Sequence, residues 1–441
     1  MKLSDNEKRD ATKLIQEGKP LPEKYRFLLF DDDREVELVW NGKIQEVYNL
    51  VLPFQTIEHI ARLSRNSWIP GFPPCLPAGR FRGNDKIPSK KRFCKWAGFL
   101  YNAPMISLGV IGCGHWGPNH VRVFSQLTGS RVVWCADPDE KRLAFVHTLF
   151  PAVETATDHT RILKDPGVDA VVIAAPTDLH FKLTKEALEA GKHVLCEKPL
   201  SLDPGECLRL GDLARRQGKV LMVGHIFVFN RGIVKMREYI HSGELGALHY
   251  AHSERTNLGP FRYDVNALWD LAPHDIAIFN YLFDSCPLSV SARGHKCLGK
   301  ALEDLAFATL DYPNDVMVNI HVSWLDPKKV RQITIVGAKK MVSWDDLDND
   351  GPIKLYDKHV EKTSVYYETY GEFQLLSREG SVTIPKIGFD EPLKDQAQYF
   401  MDCVAENVPP VLADAQRAYD VVRTLCAIQE SMDRKGELVK L

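Results

Sequence analysis

Residues 105 to 224 alternate short, continuously apolar runs with stretches of helical character. The runs are ISLGVI, RVVWCA, DAVVIAA, HVLC and KVLMVG, and helices are expected from about 117, from about 138 and near 180 to 190. Strands that are apolar on both faces and separated by helices are typical of a parallel sheet covered on both sides. The pattern predicts a doubly wound α/β domain over 105–226.

A glycine-rich turn follows the first apolar run and opens the first helix. Its residues match G-x-G-x-x-G and are Gly112, Cys113, Gly114, His115, Trp116 and Gly117. Gly112 would permit the tight turn, Gly114 would let a pyrophosphate approach the backbone, and Gly117 would let the helix pack close to the strand. The phosphates would then lie at the positive end of the helix. The turn predicts a dinucleotide-binding site.

Asp137 ends the second apolar run, twenty residues after Gly117. A carboxylate in this position accepts hydrogen bonds from ribose hydroxyls and repels a 2′-phosphate. We therefore expect NAD as the cofactor, with NADP disfavoured. The alternative is that Asp137 only caps the helix that follows it.

Polar residues follow the next strands, in AAPTDLH and CEKPL. Ligands of open α/β sheets bind beyond the carboxyl ends of the strands. We therefore expect four residues at the cofactor cleft: Thr177, His180, Glu197 and Lys198. Lys198 stands between an apolar strand and Pro199, so its amine could reach into the cleft; the alternative is a solvated surface charge.

In the second half of the chain the continuous apolar runs give way to alternating apolar and polar residues. In DVMVNIHVSW every second residue is apolar, which is the alternation of a strand with one packed face, and AFATLDYPND before it supplies a partner strand and a turn. Helical stretches near 391–407 and 413–434 close the chain. The pattern predicts an α+β domain over 227–441 with an open, mostly antiparallel sheet.

Asp270 and His274 stand four residues apart at the start of an amphipathic stretch, with Pro273 tolerated in the first turn of a helix. This spacing brings the two side chains to one helix face, where a carboxylate could orient the imidazole and raise its basicity. Alcohol oxidation needs such a base, because a hydroxyl proton leaves as hydride departs. The alternative for this pair is a helix cap or a structural hydrogen bond.

Four motifs in order resemble the Gfo/Idh/MocA oxidoreductases over 105–441: the glycine turn, EKP at 197–199, VGH at 223–225, and the D-x-x-x-H of residues 270 to 274. The resemblance implies an N-terminal Rossmann domain and a C-terminal domain whose open sheet carries subunit contacts in a homo-oligomer, a dimer or tetramer. It also implies hydride transfer between NAD or NADP and a ring hydroxyl of a sugar, cyclitol or sugar nucleotide. The motifs are most similar to those of bacterial sugar-nucleotide dehydrogenases, such as the UDP-N-acetylglucosaminuronic acid 3-dehydrogenases of surface-polysaccharide pathways.

The same resemblance assigns roles to individual residues. His274 would be the proton acceptor with Asp270 as its partner, and Lys198 would hydrogen-bond the reacting oxygen. The Lys198-Pro199 peptide would be cis. Four residues just before the catalytic helix could meet an acidic, hydroxylated substrate, with solvated surface side chains as the alternative: Arg255, Asn257, Arg262 and Tyr263.

Composition narrows the classes of partner. The formal net charge of -2 gives no reason to expect a nucleic-acid or membrane surface, so a small-molecule substrate is favoured. The polar start lacks a signal peptide and no run approaches the roughly 20 apolar residues of a membrane span, so we expect a cytoplasmic location. The ten cysteines include no C-x-x-C pair, so neither a metal site nor a disulfide framework is expected.

The first hundred residues precede the family pattern. Residues 1–66 carry two β-rich runs around Asn41-Gly42, a hairpin signal, and 67–104 read as a proline-rich basic linker. Residues 1–62 are similar to an N-terminal segment of adenine-specific DNA methyltransferases, but no D/N-P-P-Y motif follows. We expect an appended segment, from a fusion or a misassigned start. The alternatives are a DNA-binding arm and, for the main domain, a non-catalytic dinucleotide-sensing regulator.

Overall fold

The computed structural model divides the chain into two compact units, Met1–Ala103 and Pro104–Leu441. In the first unit the structure describes only the backbone of three strands. In the second unit it describes residues 105–262, 264–299, 301–360, 377–378, 380–388 and 391–441. Each unit has its own sheets.

The N-terminal unit contains a three-stranded antiparallel sheet formed by β1 (Phe27–Phe30), β2 (Glu35–Val39) and β3 (Val47–Val51). The two strands that flank Asn41-Gly42 pair antiparallel, as the sequence predicts. Their register joins Val39 to Val47, so residues 40–46 connect them rather than a two-residue turn. That connection and the predicted linker, 67–104, lie outside the described residues.

The second unit opens with a six-stranded, wholly parallel sheet in the order β6-β5-β4-β7-β8-β9. Its strands are β4 (Ile106–Ile111), β5 (Ser130–Ala136), β6 (Glu154–Ala156), β7 (Ala170–Ile173), β8 (His193–Cys196) and β9 (Leu221–Val223). Five of them are the apolar runs of the sequence. The short, polar edge strand β6 is an addition to that pattern. The order is that of a Rossmann fold, with the switch in direction between β4 and β7, beside the glycine turn.

Helices cover both faces of this sheet: α1 (Gly117–Gln126), α2 (Glu140–Leu149), α3 (Thr160–Lys164), α4 (Thr177–Glu189) and α5 (Pro204–Gln217). Two separate apolar clusters form, one on each side of the strands. Local signals set the helix ends: Asp203 accepts hydrogen bonds from the first turn of α5, and Gly218 ends it with a φ of +61°.

A nine-stranded sheet dominates the rest of the unit, in the order β19-β16-β15-β14-β10-β13-β12-β11-β20. The central strands are β10 (Leu248–Leu258), β11 (Ser289–His295), β12 (Leu305–Tyr312), β13 (Val316–Ser323) and β14 (Leu325–Gly337). The outer strands are β15 (Met341–Asp345), β16 (Ile353–Tyr356), β19 (Val382–Thr383) and β20 (Val439–Lys440). A separate pair joins β17 (His359–Val360) to β18 (Ser377–Arg378). In the large sheet, β10 and β13 are parallel and the other pairs antiparallel, as the alternation predicts.

One face of this sheet is packed and the other is open. Val318, Ile320 and Val322 are buried under α7 (Ala267–Phe283), whereas Phe307 and Met317 on the opposite face are 47% and 50% exposed. The open face is the one to which the resemblance assigns subunit contacts, and its role stays a prediction.

Four helical elements join the large sheet to the parallel sheet: a 3₁₀ helix (Ile226–Phe229), α6 (Arg231–His241), α8 (Pro392–Glu406) and α9 (Ala415–Asp433). The last two are the helices expected near the end of the chain. Phe400 of α8 packs on Phe124 of α1, at a ring distance of 6.3 Å, and Ala418 of α9 lies in the cluster beside α5. The predicted domain boundary at 226 stays a prediction. None of the described helices is long and apolar enough to cross a bilayer.

Candidate active site

The glycine turn has the geometry that its three glycines predict. Gly112 has a φ of +95°, and a Cβ there would lie 2.6 Å from the Ala174 backbone. A Cβ on Gly117 would lie 2.1 Å from the Gly112 carbonyl oxygen, so α1 can approach the strand only with glycine at this position. At Gly114 the nearest atom to such a Cβ is 3.9 Å away. The turn therefore leaves open space at Gly114, where a dinucleotide phosphate would approach.

Asp137 lies at the carboxyl end of β5 and is joined to the glycine turn. Its carboxylate accepts hydrogen bonds from the backbone N–H groups of Cys113, at 2.7 Å, and Asp139, at 2.9 Å. The N-cap of α2 is Asp139, whose side chain accepts from Lys141. The alternative that Asp137 caps this helix is therefore wrong. The geometry fits a carboxylate that meets the ribose of a dinucleotide in the turn.

The other predicted cofactor residues have unlike surroundings. His115 and Trp116 are exposed at the start of α1, with ring centroids 5.5 Å apart. Thr177 is buried at the first position of α4. His180 is also buried, and its two ring nitrogens lie 2.6 Å and 2.9 Å from the carbonyl oxygens of Pro199 and Ala175.

The prediction that His180 contacts the cofactor is therefore wrong, because both of its ring nitrogens are already hydrogen-bonded within the protein. Burial opposes its charge, but the Cys196 sulfur and the two carbonyl oxygens raise the pKa of His180 to about 9. A charged imidazole can donate to both carbonyls at once. His180 does lie at the predicted edge of the sheet. Its contact with the carbonyl oxygen of Pro199 depends on the tertiary fold and is not visible in the sequence.

Glu197 connects the EKP segment to the first helix. Its Oε1 lies 2.8 Å from His120 Nε2, and its Oε2 accepts from the Lys198 backbone N–H at 3.3 Å. Burial opposes ionisation of Glu197, but the hydrogen bond from His120 and the charges of His120, Lys198 and His180 lower its pKa. His120 was not predicted as a site residue. Its signal was a histidine three residues beyond the glycine motif, on the helix face that turns inward.

Lys198 points from the edge of the parallel sheet to the start of α7. Its Nζ donates to the backbone carbonyl of Asp270 at 2.8 Å, and its peptide bond to Pro199 is cis, as the resemblance implies. Burial lowers the pKa of Lys198, with Asp270 and Glu197 opposing and Arg262 adding to the decrease. The surface-charge alternative is wrong for this lysine. The ammonium is held in place, with two further N–H bonds to give.

The carboxylate of Asp270 does not orient His274. It accepts from Arg262 Nη1 at 3.1 Å and from Trp324 Nε1 at 3.2 Å, and no hydrogen bond joins it to the imidazole within the part of the chain that the structure describes. The helical spacing does place both residues on one face of α7. The guanidinium and the indole, which the sequence interval does not reveal, occupy the carboxylate instead.

His274 lies against the edge of an aromatic ring. Its ring centroid is 5.0 Å from that of Phe227, and its buried Nδ1 has no hydrogen-bond partner among the described residues. Burial, followed by the positive charges of Lys198, Arg255 and Arg331, lowers the pKa of His274 well below its ordinary value. The imidazole is therefore neutral near pH 7, which is the state that a proton acceptor requires.

The predicted substrate residues are mostly engaged within the protein. Arg255 is 3% exposed and forms a two-point ion pair with Asp275, so both the predicted contact with an acidic substrate and the alternative of a solvated side chain are wrong for Arg255. Asn257 donates to the carbonyl of Gly259. Arg262 bridges Asp264 and Asp270 while remaining 33% exposed, so of the two arginines it is the one that solvent reaches. Tyr263 lies outside the described residues.

Arg331 was not predicted and lies beside the same ring. It is the direct cross-strand partner of Arg255, and the two guanidinium carbons lie 5.8 Å and 4.6 Å from the centroid of Phe227. Arg331 is one-third exposed and donates to Asp346 from Nη1, at 3.0 Å. Nothing in the sequence indicates that Arg331 lies beside Phe227, because its position depends on the register between two strands.

The parallel sheet with its glycine turn, and the lysine and histidine at its carboxyl edge, define a dinucleotide-dependent oxidoreductase. Two family models match in order: the oxidoreductase family with an NAD-binding Rossmann fold over residues 106–225, and the GFO/IDH/MocA C-terminal domain over 233–343. The chain belongs to the Gfo/Idh/MocA family of NAD-binding sugar and polyol dehydrogenases.

Named relatives span several substrates. The chain is 31% identical to inositol 2-dehydrogenase 2 of Saccharopolyspora erythraea over 224 residues. This aligned region covers 49% of this chain and 66% of that protein. It is 30% identical over 249 residues to UDP-N-acetylglucosamine 3-dehydrogenase of Acidithiobacillus ferrooxidans, covering 55% and 74%. A solved structure of the latter enzyme has a TM-score of 0.63 at 24% identity, covering 75% of this chain and 98% of that one.

Proposed function

We propose that the protein is an NAD-dependent dehydrogenase that moves a hydride between the nicotinamide and a ring hydroxyl of a sugar or sugar nucleotide. The observation that carries the proposal is the placement of Lys198 and a neutral His274 at the edge of the sheet that also bears the glycine turn. Lys198 donates to the backbone carbonyl of Asp270, four residues before His274, and its positive charge contributes to the lowered pKa of His274. A pure dinucleotide sensor has no need of such an acid and base pair.

The chain offers a fitting cradle for the dinucleotide. Gly114 and the first turn of α1 would receive the pyrophosphate, and Asp137 would meet the ribose hydroxyls. A 2′-phosphate would meet the buried carboxylate of Asp137, which supports NAD over NADP. His115, Trp116 and Thr177 border the turn and the next strand end. When bound, NAD supplies the hydride acceptor.

The side chains account for the proton and the developing charge. His274 takes the hydroxyl proton, because its imidazole is neutral near pH 7. Lys198 donates an N–H bond to the same oxygen and stabilises the charge that develops as hydride leaves. Asp270 acts through its backbone, which positions the Lys198 amine, and through its carboxylate, which holds Arg262 at the cleft.

A sugar nucleotide is the substrate class that the site favours. Arg262 and Arg331 are both partly exposed beside the reacting pair, and arginine suits carboxylate and phosphate groups. Such a substrate fits a role in surface-polysaccharide sugar biosynthesis in the cytoplasm. The similarity to an inositol dehydrogenase favours a cyclitol as the second candidate.

The test is the change in nicotinamide absorbance when the protein is mixed with NAD and a panel of nucleotide sugars, free sugars and inositols. We expect reduction of NAD with a nucleotide sugar, and Lys198→Ala should lower kcat by about 10²-fold or more while NAD affinity, measured by fluorescence, changes little. Lys185→Ala, an exposed lysine on α4, is the control.

Reduction by inositol alone would move the substrate to the second candidate. Normal turnover in Lys198→Ala would contradict the mechanism. NADH binding without turnover of any compound would favour the sensor alternative.

A further inference from the structure

A cavity of about 230 Å³ lies between the carboxyl-terminal half of α7, the start of α9 and the segment that follows β9. None of the hydride-transfer residues Lys198, Asp270 and His274 lines it. His225 forms part of its wall, and Asn280 and Arg417 line it from the two helices. The cavity is therefore a separate feature that the proposed reaction does not use.

Three hydrogen-bond donors in this wall lack partners within the described part of the chain. His225 is 3% exposed, and neither of its ring nitrogens has a hydrogen bond. The buried Nδ2 of Asn280 has none either, although its Oδ1 accepts from Tyr312 at 2.7 Å. The guanidinium of Arg417 forms no hydrogen bond or ion pair with a described side chain; only its backbone N–H bonds, to Asp414. Buried donors in native proteins are nearly always paired, so the donors of His225 and Asn280 need an acceptor, and the partly buried Arg417 places a positive charge beside them.

The acidic groups of the same wall are already engaged. Asp284 accepts from Arg237 at 2.6 Å. Asp420 accepts from Gln416 at 3.1 Å, and burial raises the pKa of Asp420, which weakens its negative charge. The donors that remain without partners are one ring N–H of His225, the Nδ2 group of Asn280 and the positively charged guanidinium of Arg417, and the second ring nitrogen of His225 is an acceptor.

We propose that this cavity binds a small oxyanion, a compound with a carboxylate or phosphate group, which pairs with Arg417 and accepts N–H bonds from Asn280 and His225. Arginine matches both oxyanions in geometry. Burial, followed by the charge of Lys198, lowers the pKa of His225 to about 4, so its imidazole contributes as a neutral donor.

The test is isothermal titration calorimetry of the full-length protein with inorganic phosphate and, separately, with succinate, at constant ionic strength kept by sodium chloride. We expect saturable binding of at least one probe, and the stronger probe identifies the oxyanion. Arg417→Gln should weaken binding by about tenfold or more. Arg216→Gln removes an exposed positive charge from α5 and should leave binding unchanged.

A second variant guards against misfolding. Asn280→Asp keeps an acceptor for Tyr312 but replaces the donor with a negatively charged oxygen, so it should also abolish binding. Thermal unfolding of each variant checks that the fold is retained. The ring ¹⁵N signals of His225 should shift on addition of the probe.

Two results would overturn the proposal. One is no saturable binding of either probe by the unchanged protein. The other is binding that survives both Arg417→Gln and Asn280→Asp, because phosphate at the glycine turn would behave in that way.

Discussion

At the scale of single residues, the proposed role of His274 as proton acceptor depends on the charge state of its imidazole. Its pKa is held well below the ordinary value of 6.5 by burial and by neighbouring cations, so the imidazole stays neutral as the pH falls through the usual histidine range. A depressed pKa means that the base form is lost only at more acid pH. The arrangement suits oxidation of a hydroxyl, which needs a free base.

The rate of oxidation should therefore stay level between about pH 8 and 6.5 and fall only below that range. Arg331→Gln removes a charge that opposes the imidazolium, so it should raise the pKa of His274 and move the acid limb of the kcat profile to higher pH. Arg331→Lys keeps the charge and is the control. An acid limb that stays in place in Arg331→Gln would show that Arg331 does not act on the base.

Two glycines of one turn should respond differently to the same methyl group. Gly117→Ala places a Cβ against the Gly112 carbonyl, and this overlap should destabilise the fold by about 1–3 kcal/mol. Gly114→Ala meets open space, so its thermal unfolding should be close to that of the unchanged protein while NAD affinity falls, because the methyl group occupies the phosphate approach. Unfolding and NADH fluorescence titrations measure the two effects. Equal stability of both variants would contradict the assignment.

At the scale of elements, the end of β5 is tied to the glycine turn through Asp137. Asp137→Asn keeps an oxygen for one of the two backbone N–H groups and removes the negative charge, so the ratio of kcat/KM for NAD over NADP should fall by about tenfold or more. Arg142, whose Nη1 lies 3.6 Å from this carboxylate, is then free to meet a 2′-phosphate. The exposed Asp212→Asn on α5 is the control. An unchanged ratio would show that Asp137 serves the turn alone.

The joint between β10 and α7 depends on a buried ion pair. The side chains of Arg255 and Asp275 are 3% and 1% exposed, so removal of one partner leaves the other as an unpaired charge in the interior. Arg255→Met or Asp275→Leu should each lower the free energy of unfolding by about 3–5 kcal/mol, and the double variant by less than the sum. Urea unfolding measures this. Additive losses would show that the two side chains act independently, and Arg434→Ala, from an exposed pair with Glu430, is the control.

Regular elements with apolar periodicity were accessible from the sequence. The five parallel strands and the helices at 392–406 and 415–433 follow from runs that bury apolar side chains. The three-residue β6 and the five-residue α3 are too short and polar to give a period. The order of the elements could be predicted because runs of apolar residues in the local sequence indicate which segments are buried. Short edge elements form through tertiary pairing instead, so the local sequence does not reveal them.

The site divides in the same way. The glycine turn is a local motif, so its geometry followed from a few adjacent residues. The carboxylate of Asp270 was assigned to His274 from spacing along a helix, yet Trp324, 54 positions away, is one of its donors. Arg331 reaches Arg255 only through the register of two strands. The spacing of two residues along the chain therefore does not reveal which side chains meet through the tertiary fold.

At the scale of the whole molecule, the two compact units separate at residue 103, just before the central strand β4 of the parallel sheet. Each unit has its own sheets, and the described apolar clusters draw their residues from the second unit. The fragment Met105–Leu441 holds the glycine turn, the reacting pair and both sheets around them. The residues proposed for hydride transfer are thus contained in one unit.

A protein that starts at Met105 should therefore fold, with an unfolding midpoint within about 2 °C of the transition of the second unit in the full chain, and keep NAD binding and turnover. The control starts at Gly112, which removes the central strand β4 and should not fold, because β5 and β7 both pair with it. Calorimetry and the nicotinamide assay measure the outcome. Loss of the fold or of turnover in the Met105 fragment would show that residues 1–104 are part of the working enzyme. A gel shift of DNA by the full chain, absent in the fragment, would instead assign the N-terminal unit a binding role of its own.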